Sequence, residues 1–274
     1  MLSSANSINW GRLAPQIAYY YWAYAQLLKQ GKIKMGDKIN FSVPTGNFGD
    51  ILAGYLAKKS GLPVDKLICA SNENNVLSDF LRTGVYDRNR KFHLTDSPSM
   101  DILISSNLER LLYLLTDGND IVVRNWMEQL KKTGKYDVGP NVLAKLKEEG
   151  FVGYWCNDDQ TEVTVHDTWF AKGYLSDTHT GVAVNALEQY TKETGDQPPC
   201  VVVSTASPFK FAPAILPAMD LDFEGTDFQM LEAMEIVSCM PAPKALTGLK
   251  NKEVRFDKVI DKDAMKQEVL DWLK

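Results

Sequence analysis

The stretch INFSVPTGNFGDILAGYLAKKSGLPVDKLICA, residues 39–70, decides the fold class. It opens on a short apolar run, Ile39 to Val43, which is too brief for a helix and ends in a glycine turn. An amphipathic segment from Asp50 to Lys59 follows and is closed by Gly61 and Pro63, the usual punctuation after a helix. Leu67 to Ala70 then reads as a second strand. Strand, helix, strand is a βαβ unit, and such units imply a parallel sheet covered by helices.

Working outward, Ser7 is a candidate N-cap for a helix running through Ala14 to Lys29, with a bend at Pro15. The aromatic run Tyr19, Tyr20, Tyr21, Trp22 and Tyr24 is expected to pack into a core or against a neighbouring subunit. Downstream, Asp101 to Leu115 has helical spacing of Ile102, Leu108, Leu111, Leu112 and Leu115. The lysine-rich region from Lys131 to Gly150 is expected to be peripheral. Thr161 to Val165 is expected as a short strand, Gly181 to Lys192 as a helix entered from Asp177 to Thr180, and Cys200 to Ser204 as a buried strand. Asp261 to Leu273 reads as a last amphipathic helix.

The chain has 274 residues and a formal net charge of −5, and it carries no basic stripe, which argues against nucleic-acid binding. Four dispersed cysteines form no metal-binding or disulfide pattern. No apolar run is long enough to cross a bilayer, and the N-terminus lacks a signal-peptide pattern. These features lead to the expectation of a cytoplasmic protein, with no membrane, nucleic-acid or metal partner.

The turn Gly46-Asn47-Phe48-Gly49 is neither a P-loop nor a dinucleotide fingerprint, because Gly-Lys-Ser/Thr and GxGxxG are both absent. Two glycines before a helix do allow backbone amides to approach an anion, and the helix dipole adds to the attraction. On the residues alone, an anion site and a tight βα connection remain open alternatives.

Five strings narrow the choice: SSANSINWGRLAPQIAYYYWA, FSVPTGNFGDILAGYLAKKSGLP, DILISSNLERLLYLL, GYLSDTHTGVAVNAL and VVVSTASPFKF. In this order and at these separations they resemble the threonine synthases, pyridoxal-phosphate enzymes of the tryptophan-synthase-β-like fold. The resemblance implies an open, mostly parallel α/β sheet in three layers, with helices on both faces. It implies that Gly46, Asn47, Phe48 and Gly49 hold the phosphate of pyridoxal 5′-phosphate, and that Thr205 places its hydroxyl by the pyridine nitrogen. The family reaction converts O-phosphohomoserine and water to threonine and phosphate. Asn6, Ser7, Asn9 and Arg12, in the string NSINWGR, are the candidates for the substrate's phosphate, with helix capping as the competing reading. Ser207 stands where many members carry a histidine, and Phe209 lies close to it.

The resemblance also implies a Schiff-base lysine upstream of the GNFGD turn, in a region without counterpart here. Residues 1–274 are therefore expected to be the large, cofactor-phosphate-binding part of the enzyme, a fragment inactive by itself. Lys210 and Lys172 are not expected to replace that lysine. His179 lies in the family-like string SDTHTGVA, where capping or packing is the simpler role, and His93 and His166 lack metal-ligand spacing. A homodimer is compatible with apolar surface on the cleft side. Two alternatives stay open, a non-catalytic phosphate- or cofactor-binding module and a serine or threonine dehydratase-like enzyme of the same fold.

Overall fold

A computed structural model describes residues 6–273. Its helices are α1 (Trp10–Leu13), α2 (Ile17–Lys29), α3 (Gly49–Lys59), α4 (Val76–Thr83), α5 (Leu108–Leu115), α6 (Asp120–Thr133), α7 (Gly139–Glu148), α8 (Asp158–Lys172), α9 (Thr178–Thr194), α10 (Ala212–Ala218), α11 (Asp227–Ser238), α12 (Lys244–Thr247) and α13 (Met265–Trp272). The strands are β1 (Ile39–Pro44), β2 (Val64–Ser71), β3 (Val85–Asp87), β4 (Lys135–Asp137), β5 (Phe151–Trp155) and β6 (Cys200–Val202). Four of them form one parallel sheet in the order β5-β2-β1-β6. The short strands β3 and β4 make a separate antiparallel ribbon.

All six residues of β1 are buried, as expected of a central parallel strand covered on both faces. Alternate side chains divide between the two faces. Ile39, Phe41, Val43, Leu67, Cys69 and Phe151 join the core beneath α2, α3 and α4, while Ile68, Ala70 and Tyr154 join Val182, Ala183 and Ala186 of α9. Ser42, the polar residue facing α9, is satisfied by donating to the Ala183 carbonyl at 2.7 Å. Burying each such Ile, Val, Leu or Phe stabilises the fold by about 1.5–3 kcal/mol, which makes the sheet the rigid base for the turns at its carboxyl edge. Helices α8, α10 and α11 form a further apolar cluster around Ile215, Leu216 and Met234.

Several sequence expectations change. Thr161 to Val165 lies within α8, not a strand. Asn157 and Gln160 form a capping box, and the Thr161 and Thr164 hydroxyls donate to carbonyls four residues back, at 2.8 and 2.7 Å. Tertiary context thus overrides a β-branched run. The expected helix from Asp101 is confined to Leu108–Leu115, because the Asp101 carboxylate is used elsewhere. Asn9, not Ser7, caps the first helix by accepting from the Gly11 amide, and a 3-10 turn at Ala14–Gln16 carries Pro15 between α1 and α2. Of the aromatic run, Tyr20 and Tyr24 are core residues, while Tyr19, Tyr21 and Trp22 are exposed. The lysine-rich region is not merely peripheral, since Tyr136, Val138 and Leu146 belong to the main core. Within Asp261 to Leu273 the α-helix is Met265–Trp272, preceded by a 3-10 turn.

Candidate active site

Strands β1 and β6 are parallel neighbours, with Ser42 paired to Val202. The Val203 amide still donates to the Ser42 carbonyl at 2.9 Å, so the two chains leave the sheet side by side. The turn 45–49 and the loop 203–207 therefore emerge together at the carboxyl edge, where open parallel sheets place their ligand crevices.

Within the first turn, the left-handed residue is Phe48, at φ 62°, and neither Gly46 nor Gly49 has a positive φ. Phe48 is 1% exposed and packs against Phe151 with ring centroids 5.9 Å apart. Burial of the ring thus holds a backbone conformation that favours glycine. Gly46 answers a different need. A Cβ there would meet the Ser99 carbonyl oxygen at 2.8 Å and Met100 Cα at 3.2 Å.

Two carbonyls of the turn are tied down from behind. The Gly46 carbonyl accepts from Ser105 Oγ at 2.7 Å. The Asn47 carbonyl accepts from the Asn107 amide at 3.1 Å and from Asn107 Nδ2 at 3.0 Å. In a planar trans peptide the N–H points opposite the C=O, so these bonds turn the Asn47 and Phe48 amides away from the 105–107 segment. Among the described residues, the amides of Gly46, Asn47, Phe48 and Gly49 donate to no protein acceptor. Helix α3 begins directly after Phe48 without a side-chain cap. Four donors and a helix N-terminus suit a compact anion such as a phosphate.

The acid in the first turn of α3 does not spoil this. Asp50 accepts from the Tyr20 hydroxyl at 2.9 Å, and burial raises its pKa while that hydrogen bond lowers it.

The wall behind Gly46 is itself braced. Asp101 accepts from Asn72 Nδ2, Asn74 Nδ2, the Thr95 amide and the Thr95 hydroxyl, at 2.8, 3.0, 2.9 and 2.7 Å. His179, 3% exposed, has Nδ1 at 3.0 Å from Asp177 Oδ1, which as a carboxylate oxygen can only accept. That leaves Nε2 to accept from the Ser99 amide at 3.2 Å. His179 therefore links the first turn of α9 to the segment packed on Gly46. Thr180 bonds Asp177 and lies 3.2 Å from the Ser204 hydroxyl, so α9 touches the second loop as well.

Thr205 lies exposed on that second loop. The other sequence candidates are placed differently. The Asn6 and Asn9 side chains each accept a nearby amide, of Ile8 and Gly11, at 2.9 Å, as turn and cap residues do. Ser7 is half-buried, and its carbonyl accepts from Asn107 Nδ2 at 3.3 Å. Arg12 is exposed on α1. Lys210 rests over the Phe211 ring at 5.6 Å, and Lys172 pairs with Glu188 at 3.8 Å. Sequence reasoning overlooked Ser99, Ser105 and Asn107. The overlooked signal was Asn107, an asparagine immediately before a helix, whose side chain makes no cap bond.

Among the described residues no helix is long and apolar enough to cross a membrane, and no three His, Cys, Asp or Glu side chains are grouped to hold a metal. A cavity of about 630 Å³ between α1, α3, α5 and α6 is lined by Trp10, Leu52, Tyr113 and Met127 and borders the candidate residues at Ile8, Ser106 and Arg110.

Residues 180–269 match the family model described as threonine synthase, C-terminal. The chain is 44% identical over 222 residues to threonine synthase-like 1 of Macaca fascicularis, covering 81% of this chain and 29% of that protein. It is 40% identical over 228 residues to the threonine synthase of Saccharomyces cerevisiae, covering 78% of this chain and 44% of that one. The crystal structure of threonine synthase from yeast superposes with a TM-score of 0.81 at 35% identity, over 98% of this chain and 53% of the solved one. The PLP-bound threonine synthase from Brucella melitensis gives 0.74 at 36% identity, over 87% of this chain and 48% of the other. The chain thus spans half or less of the length of most of these proteins. In sequence and in fold the chain is similar to a portion of the threonine synthases.

Proposed function

We propose that this chain supplies the cofactor-phosphate cradle of a pyridoxal-phosphate-dependent threonine synthase, whose complete form converts O-phosphohomoserine and water to threonine and phosphate. One observation carries the reading: four amides without a protein acceptor, Gly46 to Gly49, follow one another into an uncapped helix N-terminus beside the Thr205 loop. The residues present fit the group, since the cradle offers donors and no carboxylate that is not already bonded. Pyridoxal phosphate, when bound, supplies the electron sink for proton removal from an amino acid.

The chain's own residues bind and orient. Gly46, Asn47, Phe48 and Gly49 would donate to the phosphate. Thr205 would meet the pyridine nitrogen with a hydroxyl, which holds a proton there less firmly than a carboxylate does. Arg12 would bring positive charge toward the substrate's phosphate, with Asn6, Ser7 and Asn9 shaping the turn that carries it. The lysine that bonds the cofactor is assigned outside residues 1–274, so the chain alone is inactive. The same reading makes the protein cytoplasmic and its partner a small molecule rather than nucleic acid, and it is compatible with a homodimer.

A second reading is a phosphate-binding module without catalysis, which the same four amides at an uncapped helix N-terminus would serve. Titration with pyridoxal phosphate, borohydride trapping with peptide mapping, and phosphate release from O-phosphohomoserine test the proposal. Binding competed by inorganic phosphate, with no turnover and no single trapped lysine, is expected of the isolated chain. A single trapped lysine at Lys210 or Lys172, or turnover by this chain, refutes the assignment of the lysine elsewhere. Turnover restored by adding the remaining portion of a family enzyme separates the synthase reading from the module.

A further inference from the structure

We infer that Ser105 and Asn107 are positioning residues of the anion cradle, setting its phosphate affinity through the carbonyls of Gly46 and Asn47. The inference rests on the phosphate reading given above and extends it to the residues bonded to the carbonyls of the turn. Gly46 has to lack a side chain because Ser99 lies against it. The same lack leaves the peptide between Gly46 and Asn47 with little steric preference of its own, so it could rotate and carry its N–H inward. The Ser105 hydroxyl, 2.7 Å from the Gly46 carbonyl, opposes that rotation. Ser105 is 7% exposed and is held in turn by its own amide, which donates to the Tyr86 hydroxyl at 2.9 Å.

Asn107 does the same one peptide further on. It is fully buried, and its Oδ1 accepts from Arg110 Nε at 3.2 Å, which orients the amide so that Nδ2 is presented to the Asn47 carbonyl. That Nδ2 also reaches the Ser7 carbonyl, so one side chain ties the cradle to the NSINWGR turn. These side chains act on the cradle through its carbonyls. They decide which way its donors face.

The test compares pyridoxine 5′-phosphate with pyridoxine by calorimetry on the full chain. Neither ligand carries an aldehyde, so surface lysines do not interfere. Wild type should bind the phosphate ester more tightly and lose that preference in excess inorganic phosphate; failure here overturns the phosphate reading itself. Given that preference, Ser105→Ala and Asn107→Leu, which add no charge beside the phosphate, should each weaken the ester by about tenfold, as expected for lost buried hydrogen bonds, and leave pyridoxine unchanged. Ser105→Thr, which keeps the hydroxyl, should restore most of the difference. Equal weakening of both ligands, or an unchanged ester in variants that melt like wild type, overturns the positioning role while the phosphate reading stands. Should Ser105→Ala not fold, Asn107→Leu decides alone.

Discussion

Replacing Gly46 with alanine sets a methyl group 2.8 Å from the Ser99 carbonyl oxygen and 3.2 Å from Met100 Cα. Both neighbours are backbone, and neither yields cheaply. Ser99 is held through its amide by His179, and the segment ends at Asp101, whose carboxylate takes four hydrogen bonds. Forcing a methyl into a close-packed contact costs about 1–3 kcal/mol. Alanine's stiffer unfolded chain returns about 0.4–1 kcal/mol, so a net loss of about 1–2 kcal/mol is expected. For a chain of this size that corresponds to a fall in Tm of about 2–8 °C.

Gly49→Ala is the matched control. Its Cβ would meet only Asn107 Nδ2, at the ordinary distance of 3.4 Å, and its φ is not positive. Stability should be unchanged or up to about 1 kcal/mol higher, because the position opens a helix. Thermal melts and urea titrations of both variants give the answer. A Gly46→Ala protein as stable as wild type, or a Gly49→Ala protein that loses as much, would refute the packing account of this turn.

Asp50 makes a prediction about pH, since burial raises its carboxyl pKa and the Tyr20 hydrogen bond only partly offsets this. A raised carboxyl contributes stability below its unfolded value of about 3.9 and loses it as pH rises through the folded value. Wild type should therefore lose ground to Asp50→Asn as pH rises above about 4 in urea titrations, and a flat or opposite trend would count against the burial argument. The thiols give a chemical check. Burial pushes Cys69 and Cys200 up to about 12 and Cys156 up to about 11, while Cys239 is exposed. A disulfide reagent at neutral pH should find one fast thiol in the native chain and all four after denaturation, and a second fast thiol would contradict the packing.

The βαβ unit of residues 39–70 was legible because apolar periodicity and glycine punctuation are local signals, and the parallel β1–β2 pair follows from them. Helix α9 was also legible, expected over Gly181 to Lys192 with entry from Asp177 to Thr180 and found as Thr178–Thr194 with Asp177 as its cap. Local signals failed where side chains bond far along the chain. Asp101 looks like the start of a helix, yet its carboxylate serves Asn72, Asn74 and Thr95. Thr161 to Val165 looks like a strand, yet a capping box and hydroxyl bonds to preceding carbonyls hold it in α8.

By itself, the sequence determined that a glycine turn joins a buried strand to a helix, because strand length, turn chemistry and helix spacing are properties of neighbouring residues. Only the tertiary structure decided how that turn is held. It placed the left-handed conformation on Phe48 rather than on a glycine, made Gly46 a matter of contact with Ser99, and brought Ser105 and Asn107 behind two carbonyls almost 60 residues earlier. Such a bond is decided by packing, because its donor and acceptor have no shared period along the chain and meet only when the sheet edge brings them together.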